Sequence, residues 1–549
     1  FQHSTLRSDT LHMNTAPRTL ATRITPSVRD LPVGERFMTK PNAGNPEAPP
    51  AMLAKIVATI GPASDSPEMV RRLIEAGVSV FRFNFSHGDF AAHERRLATV
   101  RSVSASMKRP VACMGDLQGP KIRVGKVPEG GITVEAGQDL VFRVGLAESR
   151  LETQPSGEPI AVFSVTYDKL VAEVEPGHKV LVNDGAIRML AVERDLAKGE
   201  LRCRVTVGGL VTSGKGINLP QSTITAPAIT QRDWECAKWA VDHDLDYVAL
   251  SFVRTAEEVT ELKERLAAMA PHGVDEMSRW IPVVAKIEKP QALADLDRIV
   301  RAADAIMVAR GDLGVEMDIA RVPVAQKEIV AKCAEWGKPC IVATQMLETM
   351  IENSIPTRAE ASDVANAIFD GADAVMLSAE TATGKHPALV VETMRRIVSA
   401  AEVRVATLAR DEMQPKFFAD SHSKIAALAH GAWYIAADAE AKAIVVWSEW
   451  GGTARYLSQN NFHVPIVSFT SSERAARRMG LFGGVIAVCE APPADASLKT
   501  WYERVDAYLL GTGLCLAGQT VLLLAGKPLG KPKSVNTIAI RRVGESVNG

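Results

Sequence analysis

Val283-Val-Ala-Lys-Ile287 and Ala305-Ile-Met-Val-Ala309 are short apolar runs rich in β-branched residues, and the 22-residue step between their starts leaves room for one helix. That combination is one βα unit of a parallel sheet. Six further runs extend the series in both directions: Lys55 to Ile60, Val78 to Phe83, Val111 to Asp116, Tyr247 to Phe252, Cys340 to Thr344 and Ala374 to Ser378. Start-to-start steps lie between 22 and 36 residues, except for 136 residues from Val111 to Tyr247. Eight units with a single overlong step predict an α/β fold, a (β/α)8 TIM barrel carrying one insertion.

The barrel is expected over residues 51–123 and 225–400. The insertion, 124–224, is rich in Val and Gly, is punctuated by Glu129-Gly-Gly131, Glu175-Pro-Gly177 and Asn183-Asp-Gly185, and lacks helical periodicity. It reads as a small all-β domain of β-barrel type. Strand-like runs resume at Ala443 to Trp447, Pro465 to Thr470, Val485 to Val488, Val521 to Leu524 and Thr537 to Arg541, so 401–549 is expected to be a C-terminal α/β domain. Residues 1–50 mix Ser, Thr, Arg and Pro without apolar periodicity and are expected to be a disordered extension. Asp9, Asp30 and Glu35 dilute any transit-peptide pattern, and Met13, Met38 and Met52 downstream favour an extension ahead of the start.

The 549 residues carry 63 Lys and Arg against 64 Asp and Glu, so no global field favours nucleic acid or an anionic membrane. The seven cysteines include no CxxC pair, which predicts reduced thiols in a reducing, cytoplasmic compartment. The apolar runs, such as Val521-Leu-Leu-Leu-Ala525, are too short to span a membrane.

Chemistry in such a barrel sits at the C-terminal ends of the strands. Here those ends present Thr59, Arg82 with Asn84 and Ser86, Asp116, Ser251, Lys286 with Glu288, Arg310 with Asp312, Thr344, and Ser378 with Glu380. Glu288 and Asp312 end adjacent strands and offer hard oxygen ligands with no His or Cys beside them, a set suited to Mg²⁺ or Mn²⁺. Lys286 lies on the same strand face as Glu288 and is placed to neutralise a phosphoryl group or an enolate, or to form a Schiff base. Arg82 adds a planar donor fork for phosphate, and Gly311-Asp-Leu-Gly314 is expected to open a short helix. The set describes a metal site for a small phosphorylated acid.

Gly209-Leu-Val-Thr-Ser-Gly-Lys215 has P-loop spacing, but Gly216 stands where a Ser or Thr is needed and Ile217-Asn-Leu-Pro220 cannot start the helix. Other readings of the site are a Mg²⁺-dependent lyase or aldolase acting on pyruvate or phosphoenolpyruvate, and a catalytically dead binding protein.

Lys55-Ile-Val-Ala-Thr-Ile-Gly-Pro-Ala-Ser64, Asn84-Phe-Ser-His-Gly88, Ala285-Lys-Ile-Glu288, Met307-Val-Ala-Arg-Gly-Asp-Leu-Gly-Val315, Ala343-Thr-Gln-Met-Leu347 and Pro356-Thr-Arg-Ala-Glu360 closely resemble the pyruvate kinase family, from about residue 52 onward. The resemblance implies phosphoryl transfer from phosphoenolpyruvate to ADP, giving pyruvate and ATP, with the β-domain closing as a lid. It implies Mg²⁺ on Glu288 and Asp312, and Lys286 and Arg82 on the phosphoryl group. The amides of Gly311 and Asp312 and the hydroxyl of Thr344 would hold the carboxylate, with Thr344 or Ser378 assisting enolate protonation. Asn84, His87, Arg123 and Lys215 fall where the family contacts nucleotide.

Many members require K⁺, held by residues matching Asn84, Ser86, Asp116 and the carbonyl of Leu117. They carry Thr, Lys, Glu and Thr where this chain has Leu117, Gln118, Lys121 and Val124. The chain resembles the K⁺-independent branch, in which the ammonium of Lys121 would act as an internal cation. A homotetramer is also implied. The family's effector loop reads Ser448-Glu-Trp-Gly-Gly-Thr453 here, where Glu449 would repel phosphate. Arg455, Arg474, Arg477 and Arg478 are read as an anion site or a solvated face, behind a Thr470-Ser-Ser-Glu473 capping box.

Overall fold

The computed structural model describes residues 52–270, 280–407, 423–460 and 463–545. The extension expected over 1–50 lies outside them. Lys55–Thr59, Val78–Asn84, Ala112–Asp116, Tyr247–Leu250, Val283–Ile287, Ala305–Ala309, Cys340–Ala343 and Ala374–Leu377 form a closed parallel barrel. The ring closes where Lys55 lies opposite Ala374. All eight expected strands are present.

Both faces of each strand are buried, which is why the runs read as continuously apolar rather than alternating. Val57, Val80, Met114, Val284, Met307, Ile341 and Met376 point inward and fill the barrel. Their neighbours Ile56, Phe81, Phe83, Val283, Ile306 and Val375 point outward beneath the helices. Local chemistry starts and stops those helices. Pro67–Ala76 begins at Ser66, whose side chain accepts from the Met69 amide, and ends at Gly77 with φ 125°. Arg358–Asp370 starts with a Thr357–Glu360 capping box. The last barrel helix, Pro387–Val405, runs through the break expected at 400.

The insertion holds a seven-stranded sheet in the order Ile217–Asn218, Lys179–Val182, Ile187–Asp195, Glu200–Val207, Asp139–Arg143, Pro159–Ser164, Arg150–Thr153, and a two-stranded ladder of Ile132–Val134 with Gly209–Val211. Residues 122–125 pair on one side with 214–217 and on the other with 164–166, bridging the Ile217–Asn218 and Pro159–Ser164 strands, and Leu170–Glu173 adds a turn of helix. Gly209–Val211 being strand also disposes of the P-loop spacing.

The C-terminal sheet runs Val485–Cys489, Ile466–Thr470, Ala443–Trp447, Thr520–Ala525, Thr537–Arg542, with only the last strand antiparallel. This domain closes the barrel floor, where Leu481 packs into the inward-facing core. Arg477 bonds Asp246 at 2.9 Å and Asp244 at 2.7 Å, and Arg474 also pairs with Asp244. Arg478 donates to the Trp280 carbonyl. The reading of these arginines as an anion site or solvated face is therefore corrected: tertiary packing gives them barrel partners. Ser472, not Thr470, caps the helix Glu473–Arg478: Ser472 Oγ accepts the Ala475 amide, while the Thr470 hydroxyl donates to the Glu449 carbonyl at 2.7 Å and accepts the Ser472 amide at 3.0 Å.

Candidate functional site

A cleft of about 520 Å³ opens between the barrel mouth and the inserted domain. Arg82, Asn84, Ser86, His87, Asp116, Leu117, Lys121, Arg123, Lys215, Lys286, Glu288 and Asp312 all line it. Residues more than 200 positions apart thus meet where the strands end.

Lys286 is the hub. Its ammonium lies 2.8 Å from Glu288 Oε1, 3.2 Å from Asp116 Oδ1 and 2.8 Å from Ser251 Oγ, and the residue is 8% exposed. Burial works against the charge, but Asp116 and Glu288 outweigh it and raise the lysine pKa above its ordinary value. A permanently charged amine suits charge neutralisation and is ill-suited to Schiff-base chemistry, which needs the neutral form. Arg82 bonds Asp116 through Nε at 2.6 Å and Thr59 Oγ1 through Nη1 at 3.0 Å. Burial of Asp116 opposes its ionisation, but Lys286 and Arg82 overcome this and hold its carboxyl below the usual range.

Glu288 accepts the Phe252 amide at 2.7 Å through Oε2. Its Oε1 is buried and lies close to Lys286, but no donor is aligned on it. Burial pushes this carboxyl up, and nearby Asp312 adds to the rise against the pull of Lys286. An under-satisfied carboxylate beside a second acid fits a divalent cation. Among the described residues no group of three or more His, Cys, Asp or Glu side chains is placed to hold a metal. Two protein carboxylates suit Mg²⁺, which keeps water or substrate oxygens in its other positions.

Asp312 sits in the helix Arg310–Glu316, which opens directly from the strand Ala305–Ala309, as expected. Gly311, Thr344 and Ser378 do not line the cleft. The Gly311 amide donates to Thr344 Oγ1 at 2.7 Å, so in this conformation these two expected carboxylate contacts bind each other. Thr344 and Gln345 adopt φ 69° and 54°. A β-branched residue there is strained and needs surrounding support. Arg310 supplies it, donating to the Thr344 carbonyl at 2.8 Å while paired with Asp363 at 2.7 Å. Ser378 Oγ is buried without a partner, and its amide donates to Glu380 Oε2 at 2.6 Å.

Three of the four expected K⁺ ligands make other contacts: the Leu117 carbonyl accepts Ser251 Oγ at 2.6 Å, Asn84 Oδ1 accepts the Ser86 amide at 3.1 Å, and Asp116 pairs with Arg82 and Lys286. Lys121 Nζ lies 3.8 Å from Asp184 Oδ1 of the inserted domain. Arg123 donates to the Gly214 carbonyl at 2.9 Å. In the C-terminal domain a separate cavity of about 650 Å³ is lined by Glu449, Trp450, Arg455, Lys531 and Lys533 among others. Glu449 is held there by Trp447 Nε1 at 2.9 Å and by Ser471.

The roles of Ser251, Arg310 and Asp233 are missed by sequence reasoning. Asp233 Oδ1 takes the amides of Gln118 and Gly119 at 2.9 and 3.1 Å and so shapes the loop before Lys121. Only the Thr230–Asp233 capping box hinted at it.

Comparison with known proteins shows the family. The family model "Pyruvate kinase, barrel domain" matches residues 52–391, and "Pyruvate kinase, alpha/beta domain" matches 426–541. The pyruvate kinase of Mycobacterium tuberculosis H37Rv is 40% identical over 493 residues, 89% of this chain and 98% of that protein. The pyruvate kinase of Corynebacterium glutamicum is 38% identical over 491 residues, with the same 89% and 98% coverage. A crystal structure of a pyruvate kinase from Cryptosporidium parvum superposes with a TM-score of 0.77 at 31% identity, covering 90% of this chain and 96% of that one.

Proposed function

Since the chain belongs to the pyruvate kinase family and so transfers the phosphoryl group of phosphoenolpyruvate to ADP, giving pyruvate and ATP, we propose that Lys286, Arg82, Glu288, Asp312 and Thr344 carry the reaction. The observation that carries this reading is the buried ammonium of Lys286, fixed between Asp116 and Glu288 at the barrel mouth.

Phosphoryl transfer calls for positioning and charge neutralisation more than covalent help. Lys286 faces the charge that builds on the phosphoryl oxygens and then on the enolate, and its carboxylate partners keep it protonated throughout. Arg82, held in plane by Asp116 and Thr59, binds phosphate. Thr344 and the amides of Gly311 and Asp312 bind the carboxylate of phosphoenolpyruvate once substrate displaces the Gly311–Thr344 bond. Asn84, His87, Arg123 and Lys215 contact ADP as the inserted domain closes, and Thr344 or Ser378 assists protonation of the enolate. Glu288 and Asp312 would hold Mg²⁺ or Mn²⁺, which would supply Lewis acidity and charge neutralisation.

Activity is independent of K⁺ on this reading, because Lys121 brings a positive charge to the cleft where the K⁺ of other members would sit. Lys531, Lys533 and Arg455 support binding of a phosphorylated effector in the C-terminal cavity, with Glu449 opposing it. The family likeness supports a homotetramer, measurable by sedimentation.

The test is pyruvate formation from phosphoenolpyruvate and ADP with Mg²⁺ in K⁺-free buffer, with and without added KCl. Turnover unaffected by KCl supports the whole reading. Turnover only with KCl overturns the internal-cation argument, and turnover retained by Lys286→Met overturns the assignment of the hub.

A further inference from the structure

Glu316 has no part in the chemistry above, yet its side chain is 1% exposed where the inserted domain meets the barrel. It ends the helix Arg310–Glu316, four residues after Asp312 and so near the same helix face. A single oxygen, Oε1, accepts from Asn218 Nδ2 at 2.8 Å and from Lys289 Nζ at 2.7 Å. Lys289 directly follows Glu288. Asn218 belongs to the inserted domain's strand Ile217–Asn218, three residues after Lys215.

One carboxylate therefore joins the Asp312 helix, the segment after Glu288 and the strand after Lys215. Asn218 Oδ1 is buried with no hydrogen-bond partner, so the bond to Glu316 orients this amide. The inserted domain meets the helix a second time at the turn of Gly185, where a Cβ would stand 3.6 Å from Val315 Cγ1. Lys289 Nζ also lies 5.6 Å from the Phe252 ring centroid, and the Phe252 amide is the donor to Glu288. Breaking a buried ion pair by removing one partner leaves the other charge uncompensated. Without Glu316 the Lys289 ammonium, carried by the residue next to Glu288, loses its carboxylate partner.

We infer that Glu316 is a positioning residue that fastens the inserted domain to the two candidate metal ligands, linking closure over the nucleotide to divalent-cation binding. This rests on the reading of Glu288 and Asp312 as the metal pair.

The test combines Mn²⁺ binding to the substrate-free protein, followed by electron paramagnetic resonance, with KM for ADP in Glu316→Ala, Glu316→Gln, Asn218→Ala and the double variant Asn218→Ala/Glu316→Ala. Loss of a hydrogen bond to a charged group predicts that Glu316→Ala weakens Mn²⁺ binding and raises KM for ADP by about fivefold or more each. Asn218→Ala should raise KM for ADP alone, and the double variant should be no worse in that constant than Glu316→Ala. Glu316→Gln keeps an acceptor for Asn218 and should restore KM for ADP but not Mn²⁺ affinity, a split that a purely structural role would not produce. Unchanged Mn²⁺ affinity in Glu316→Ala, or additive effects on KM in the double variant, would overturn the inference. Should Glu316→Ala not fold, Glu316→Gln with Asn218→Ala still decides it. If Glu288→Gln leaves Mn²⁺ binding intact, the metal-pair reading is the one that falls, and this inference with it.

Discussion

The two ends of the barrel each bury a network of charges, and they do opposite work. At the mouth, Lys286 is flanked by two carboxylates and its pKa rises. At the floor, Lys55 donates to the Val485 carbonyl at 2.6 Å, and burial outweighs the attraction of Glu402 to bring its pKa down to about 8. The floor charges are matched to fixed partners on the C-terminal domain, as in Arg477 with Asp244 and Asp246. The mouth keeps capacity in reserve: a carboxylate oxygen on Glu288 without an aligned donor, and a strained Thr344 hydroxyl bonded to an amide that substrate can claim. Burial of charge does not by itself identify a catalytic site, nor does one unsatisfied atom, since Arg101 Nη1 at the floor is also buried without a partner; the mouth differs in gathering its charges around an open cleft.

The strongest way to break this contrast is to remove one lysine from the mouth. Lys286→Met should lower kcat/KM by about 10³ while circular dichroism shows the fold retained. A loss below tenfold would place the hub elsewhere. The mirror experiment is at the floor, where Asp246→Ala strands Arg101 and Arg477 and should cost about 3 kcal/mol in denaturant unfolding, with turnover per folded molecule preserved.

The floor also predicts a pH dependence. Burial pushes the carboxyls of Asp373 and Glu402 up to about 7. Both folded values lie above the unfolded ones, so this contribution to stability is fully present below about pH 4 and is lost as pH rises toward 7. Lys55 is charged in both states across that window and does not disturb it. Glu402→Gln should flatten the slope of stability between pH 4.5 and 7 by about 2 kcal/mol, read from urea midpoints; an unchanged slope would show that Glu402 is ionised in the folded protein.

The smallest effect returns to the mouth. Lys121→Thr removes the proposed internal cation and should cut turnover about tenfold in K⁺-free buffer, with recovery on adding KCl. A variant that stays indifferent to KCl would leave Lys121 as a partner of Asp184 only.

Most of the barrel was legible because each strand is buried on both faces, which leaves a continuous apolar run, and because chemistry gathers at strand ends. Lys286 and Glu288 were readable as neighbours from the two-residue repeat of a strand. Arg474, Arg477 and Arg478 were misread because a basic helix face looks the same in sequence whether water or Asp244 and Asp246 cover it. Ser251 and Arg310 were readable only as polar strand ends; their roles, like that of Asp233, exist only through Lys286, Thr344 and the Gln118–Gly119 amides.

No helix among the described residues is long and apolar enough to cross a membrane. The amino-acid sequence by itself determined the number of βα units, the place of the insertion and the family, because periodicity and uncommon local blocks are properties of the chain. Only the tertiary structure decided which charges are paired, that Gly311 and Thr344 hold each other, and that Glu316 bonds both Asn218 of the inserted domain and Lys289 of the barrel. Those facts depend on distances between residues remote in sequence, and side-chain pairing across a closed barrel leaves no local pattern to read.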